Sequence, residues 1–213
     1  MKPVVIIPAR SGSKRYPDKN IDLWRYTSSF LQSNRDLFKE IYVSTDSKHL
    51  AQLVEEAGFK SVKRPPELST DELPVNPVMY DVITKKNLYK ETVCMMYLTS
   101  PERKREEFEN AINFYNKNNL ESLVAFYRPE YSPYLARYED TMEPLINHDL
   151  YRYQDYRNIV VLSHYICLFN ADSLYKLDNQ LYRKEITHPW LLDYIPVDID
   201  YKEQLRQWQL KKY

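Results

Sequence analysis

The alternation of short, nearly all-apolar runs with stretches of helical period constrains this chain more than any other feature. VVII at 4–7, IYVS at 41–44, VCMMYL at 93–98 and SLVAF at 122–126 are apolar at all positions or all but one, the pattern of strands buried on both faces of a sheet. Further strands are expected at 60–63 and 160–169. Between them, helical spacing predicts helices over 24–34, 47–57, 75–88 and 101–118, with a C-terminal helix from Lys202. Ser47 is placed to cap the second helix and Ser100, before Pro101, to cap the fourth. The layout predicts an α/β, Rossmann-like fold, a mostly parallel sheet with helices on both faces. No repeat, Gly/Ser linker or low-complexity tract breaks residues 1–213, so one domain is expected, with an inserted hairpin at 127–160, where the pattern gives way to RPEYSPYLARYEDTMEPLI.

The first strand runs into ARSGSKRYPDKN at 9–20, with four cations and one of only two glycines in the chain. Average glycine usage is about 7%. A glycine in so glycine-poor a chain marks a turn or a close backbone approach; Gly58 reads as a helix C-cap, and Gly12 is the other. In an open α/β sheet the loop after the first strand lies in the ligand crevice. Its N–H groups, hydroxyls and cations suit a polyphosphate. The stretch matches neither the dinucleotide fingerprint nor the P-loop, and the competing reading is a solvated basic loop.

Charge sharpens this. Thirty Lys and Arg balance thirty Asp and Glu, leaving no overall field to draw in nucleic acid or a membrane surface. MKPVVII lacks the apolar segment of a signal peptide and no run is long enough to span a bilayer, so a cytoplasmic protein is expected. Cys94 and Cys167 lie in strand-like runs and read as buried thiols. The four histidines show no metal spacing. Asp46, ending a strand, reads as a turn residue.

Residues 8–20 strongly resemble the signature of the CMP-sugar-acid synthetases, the acylneuraminate cytidylyltransferase family, P-A-R-x-G-S-K-x-x-P-x-K-N. Pro8, Ala9, Arg10, Gly12, Ser13, Lys14, Pro17, Lys19 and Asn20 fill every fixed position. The likeness continues through VSTDS at 43–47, KRPPELSTD at 63–71, TSP at 99–101, SPYLARYEDTMEPL at 132–145, QD at 154–155 and PVDID at 196–200. It implies attack of a nonulosonic acid hydroxyl on the α-phosphorus of CTP, releasing pyrophosphate. By resemblance, Arg10, Gly12, Ser13, Lys14, Lys19, Asn20, Arg64 and Ser100 contact the nucleotide; Lys19, Arg10, Asp198 and Asp200 carry the chemistry. Tyr97, Gln154, Asp155 and His164 line the sugar site. Asp198 and Asp200, two apart, would share one face of a strand. Hard carboxylate oxygens there suit Mg²⁺, against the alternative of capping the last helix. Arg64 also reads as an ordinary loop cation.

Three departures stand out. IDLWRYTSSF replaces the usual G-K-P-L entry to the first helix; Tyr97 stands where the family has glutamine; His164 stands where it has glycine. These fall around the base and sugar, while the phosphate elements survive. Two readings follow: an active cytidylyltransferase with an altered acceptor or base, or a catalytically weak nucleotide-binding relative. The resemblance also implies a homodimer through the insert, with Tyr131, Tyr134, Leu135, Tyr138, Met142 and Leu145 as apolar anchors and Arg128 and Arg137 as contacts for a sugar carboxylate.

Overall fold

The computed structural model describes residues 1–211. Strand β1 (Val4–Pro8) is central, and its alternation sends Val5 and Ile7 into one apolar layer and Val4 and Ile6 into the other. It pairs in parallel with β2 (Glu40–Thr45) and β4 (Thr92–Met95), and β2 pairs in parallel with β3 (Lys60–Lys63). With β5 (Ser122–Tyr127), β6 (Val161–Asn170) and β7 (Thr187–Leu192), the order is β3-β2-β1-β4-β6-β5-β7. Helices α1 (Lys19–Ser33), α2 (Lys48–Glu56), α4 (Arg105–Lys117) and α5 (Lys202–Leu210) cover the Val5 face; α3 (Val75–Lys86) covers the Val4 face. Each large side chain so buried contributes roughly 1.5–3 kcal/mol over its exposed state.

The expected α/β architecture is present, and β6 is its one antiparallel member, against both β4 and β5. The physical reason is the 127–160 segment: it leaves β5 and enters β6 at the same end of the sheet, so β6 must run back. Its first residues therefore lie beside the C-terminal end of β5, with Ser163 opposite Ala125. Strand β7 was not expected. Its Pro189 argues against a central strand, and β7 is an edge, paired only to β5.

Local signals hold where they are strong. Ser47 Oγ accepts the Leu50 N–H at 3.1 Å to cap α2, and Gly58, at φ 81°, follows its end. Two helix starts are corrected. Helix α1 begins at Lys19 rather than 24, behind Asp18 at φ 58°, and α4 begins at Arg105 behind Lys104. Ser100 thus caps nothing. The insert is a minimal hairpin: Arg137 and Pro144 form an isolated bridge, Met142 turns at φ 59°, and two single turns of 3₁₀ helix flank it.

Candidate active site

The loop between β1 and α1 has no regular structure, yet each part of it is tied down. Tyr16 is 1% exposed and its hydroxyl donates to Asp22 at 2.7 Å, anchoring the loop to α1. Asp46, at the end of β2, accepts the Ser11 N–H at 2.7 Å and the Ser11 hydroxyl at 2.6 Å. Burial pushes the Asp46 carboxyl up, but these two bonds, with a further backbone bond and the Arg64 charge, hold it below the usual carboxylate range. Its role is larger than the expected turn. Asn20 donates to the Arg10 carbonyl at 2.8 Å, closing the loop onto the first turn of α1. Gly12 sits at φ 70° with nothing within 4 Å of an added Cβ, so its backbone conformation, not crowding, calls for glycine.

Because α1 starts at Lys19, its positive dipole end faces the same loop, a favourable place for phosphate, while the Lys19 and Ile21 N–H groups donate to the Tyr16 and Asp18 carbonyls at 3.2 and 2.9 Å. Arg10, Ser13, Lys19, Asn20 and Arg64 line one cleft, closed on its far side by Leu73, Pro74 and Val75. Arg64 is no ordinary loop cation: it is 6% exposed, its Nε donates to the Leu68 carbonyl at 2.7 Å, and burial lowers its pKa. Lys14 lies further out and pairs with Asp71 at 2.8 Å.

A second cleft adjoins the first and shares Lys19, Tyr97 and Thr99 with it. Its other walls include Ser100, Ser163, His164, Asp198 and Asp200. The PVDID segment lies outside the sheet and forms no strand or helix, so the expected strand face is absent. Ile199 is buried and its N–H donates to the Thr99 carbonyl at 2.8 Å, and the aspartates on either side of it both reach the cleft. Asp200 does not cap α5. The Gln204 side chain takes the N–H groups of Asp200 and Tyr201, while the Asp200 carboxylate accepts from Lys19 at 2.9 Å and faces Arg15 at 3.5 Å. Asp198 makes no ion pair or hydrogen bond among the described residues. No cluster of three or more His, Cys, Asp or Glu able to hold a metal occurs among them. A cation here would take its protein ligands from Asp198 and Asp200, a hard-oxygen pair that fits Mg²⁺ completed by phosphate and water.

Tyr97 and His164 meet edge-on at the junction, ring centroids 5.4 Å apart. Burial pushes the Tyr97 phenol up to about 12 and His164 downward. His164 Nε2 lies 2.8 Å from the Gln180 carbonyl, which only accepts, so Nε2 carries the proton and the neutral ring keeps Nδ1 as an acceptor. Arg103, unassigned from sequence, donates to the carbonyls of Tyr97 and Ser100 and to Thr27 Oγ1, fixing the TSP turn; burial lowers its pKa to about 10. Nothing in the sequence joins Arg103, Asp71 or Asp46 to the site, because their partners lie far along the chain or on the backbone.

Gln154 and Asp155 are not brought to this junction within the chain. Gln154 lines a separate pocket in the insert with Arg128 and Arg157, and Asp155 is gripped by Arg152 at 2.8 and 2.9 Å. Arg137 donates to the Met142 carbonyl at 3.0 Å, inside its own hairpin.

Residues 4–185 match the family model described as Cytidylyltransferase. The N-acylneuraminate cytidylyltransferase of Streptococcus agalactiae serotype V is 34% identical over 142 residues, 63% of this chain but only 34% of that protein. The chain thus matches about a third of the length of that relative. The CMP-N,N'-diacetyllegionaminic acid synthase of Legionella pneumophila is 30% identical over 216 residues, covering 94% of this chain and 90% of that one. Among solved structures, CMP:2-keto-3-deoxy-manno-octonic acid synthetase complexed with CTP shares the fold, with a TM-score of 0.73 over the whole of both chains at 15% identity. With a cationic loop matching the signature at every fixed position, and likeness along nearly the full chain, the protein belongs to the cytidylyltransferase family.

Proposed function

We propose that this protein couples CTP to a sialic-acid-like nonulosonic acid, giving a CMP-sugar and pyrophosphate. The observation that carries the reading is the pair of adjoining clefts meeting at Lys19, one cationic and helix-capped, the other bearing Asp198 and Asp200. The first suits a triphosphate and the second a hydroxylated acid whose attacking oxygen must come within reach of the α-phosphorus. Phosphoryl transfer asks a protein mainly for positioning and charge neutralisation. Arg10, Lys14 and Arg64 hold the leaving pyrophosphate, Lys19 lies where the two substrates meet, and the Ser13 hydroxyl and the positive end of the α1 dipole favour phosphate oxygens. Mg²⁺ held by Asp198 and Asp200 would neutralise phosphate charge and favour ionisation of a hydroxyl bound to it. Tyr97 and His164 shape the junction, so the acceptor differs from one suited to an amide and an open pocket.

A cytoplasmic homodimer belongs to the same reading. Tyr131, Leu135, Tyr138, Met142 and Leu145 are exposed in the insert, and aromatic and aliphatic anchors of this kind are what interfaces bury. Pyrophosphate release from CTP with Mg²⁺, across a panel of nonulosonic acids, tests the proposal. Release that depends on the sugar and is lost in Asp198→Ala and Asp200→Ala supports it; CTP binding without release for any member counts against it.

A further inference from the structure

We infer that Asp71 is a built-in stand-in for phosphate: in the free protein its carboxylate occupies the cationic cradle of the 9–20 loop, and an arriving polyphosphate displaces it. The inference rests on the nucleotide reading above. Asp71 accepts from Arg10 and, at 2.8 Å, from Lys14, and the bond from Lys14 with that from Arg10 holds its carboxyl below the usual range. Arg10 also lines the cleft with Lys19 and Arg64. Three cations around one cleft repel each other until an anion stands among them, and Lys19 already has Asp200. A carboxylate presents oxygens to guanidinium and ammonium much as phosphate does. Once a polyphosphate enters, Asp71 becomes a like charge beside it and must leave.

The displacement has somewhere to go. Residues 69–74 form no helix or strand, and Leu73 and Pro74 at the end of this segment, with Val75 after it, wall the same cleft. Withdrawal of Asp71 therefore moves the wall that faces the nucleotide, so phosphate arrival and pocket shape are coupled through one side chain.

The test is calorimetric titration of the full chain with inorganic pyrophosphate and with CTP at fixed ionic strength. Asp71→Asn is expected to bind pyrophosphate about three- to tenfold tighter, the effect of removing a competitor from two exposed pairs. Asp71→Glu is expected to stay within about twofold of the parent, and Glu72→Gln, altered at an exposed neighbour, to be unchanged. A structural role for Asp71 would weaken binding in Asp71→Asn, and weaker or equal binding overturns the inference. Amide exchange supplies the second readout, needing no variant: pyrophosphate is expected to raise exchange over 69–74, and unchanged exchange overturns the inference as well. If the parent binds neither ligand, the nucleotide reading falls and takes this one with it; if it binds both and Asp71→Asn is no tighter, only this one falls.

Discussion

The 9–18 loop and the 127–160 insert are both irregular, and they differ in what holds them. The loop has a buried aromatic anchor in Tyr16, side-chain bonds to its backbone from Asp46 and Asn20, and one residue that requires positive φ. The insert has a stacked Tyr134–Tyr156 pair, with His148 edge-on to both, and otherwise exposes its aromatic side chains. All of the loop's cations meet carboxylates from distant parts of the chain; Gln154 and Asp155 in the insert meet only their own surroundings. Irregular backbone becomes a preorganised site when its polar groups are tied to a sheet edge and a helix end.

The largest expected effect is the removal of that anchor. Tyr16→Ala should cost about 3–5 kcal/mol by urea denaturation, since it empties a buried aromatic site and strands Asp22. Tyr131→Ser in the insert, at a side chain 77% exposed, should change stability by less than about 0.5 kcal/mol; comparable losses in the two would abolish the distinction. Gly12→Ala comes next. No atom obstructs the new methyl group, so the cost is that of placing an L-residue at positive φ, about 1 kcal/mol. Gly12→Asn should recover part of it, because asparagine tolerates this region.

Below the glycine change comes acid dependence. Asp46 has its carboxyl held below the usual carboxylate range, so its contribution is present above the unfolded-state value and is lost as pH falls through the lower folded-state one. Asp46→Asn should flatten the acid limb of the melting curve by less than about 1 kcal/mol, the group being exposed and screened. An unchanged acid limb would mean that the Ser11 bonds do not stabilise the loop.

Legibility followed the range of the interaction. The β1 run, the Ser47 cap and the positive φ of Gly12 and Gly58 depend on a few neighbouring residues, and the structure has each of them. The sequence places the start of α1 too late because Pro17 and Asp18 look like loop, although Asp18 in the left-handed region stands at the N-cap and leaves Lys19 to open the helix. Ser100 looks like a cap from its place before proline. Arg103 instead draws the Ser100 carbonyl into a tight turn and the helix begins later. Arg64 looks like any surface cation in KRPPEL because nothing there shows that it will be buried in a cleft that also takes Val75, Val78 and Tyr97 from further along the chain.

From the chain itself came the α/β class, the cationic loop after the first strand, and membership of a family, because apolar period and motif spacing are written in consecutive residues. The return of β6 against its neighbours, the edge position of β7, the meeting of Lys19 with Asp200 and the double hold of Asp71 on Arg10 and Lys14 were decided only in three dimensions. Each joins residues separated by long stretches of sequence, and such pairings are set by which end of the sheet a connection returns to and by which charges packing leaves side by side.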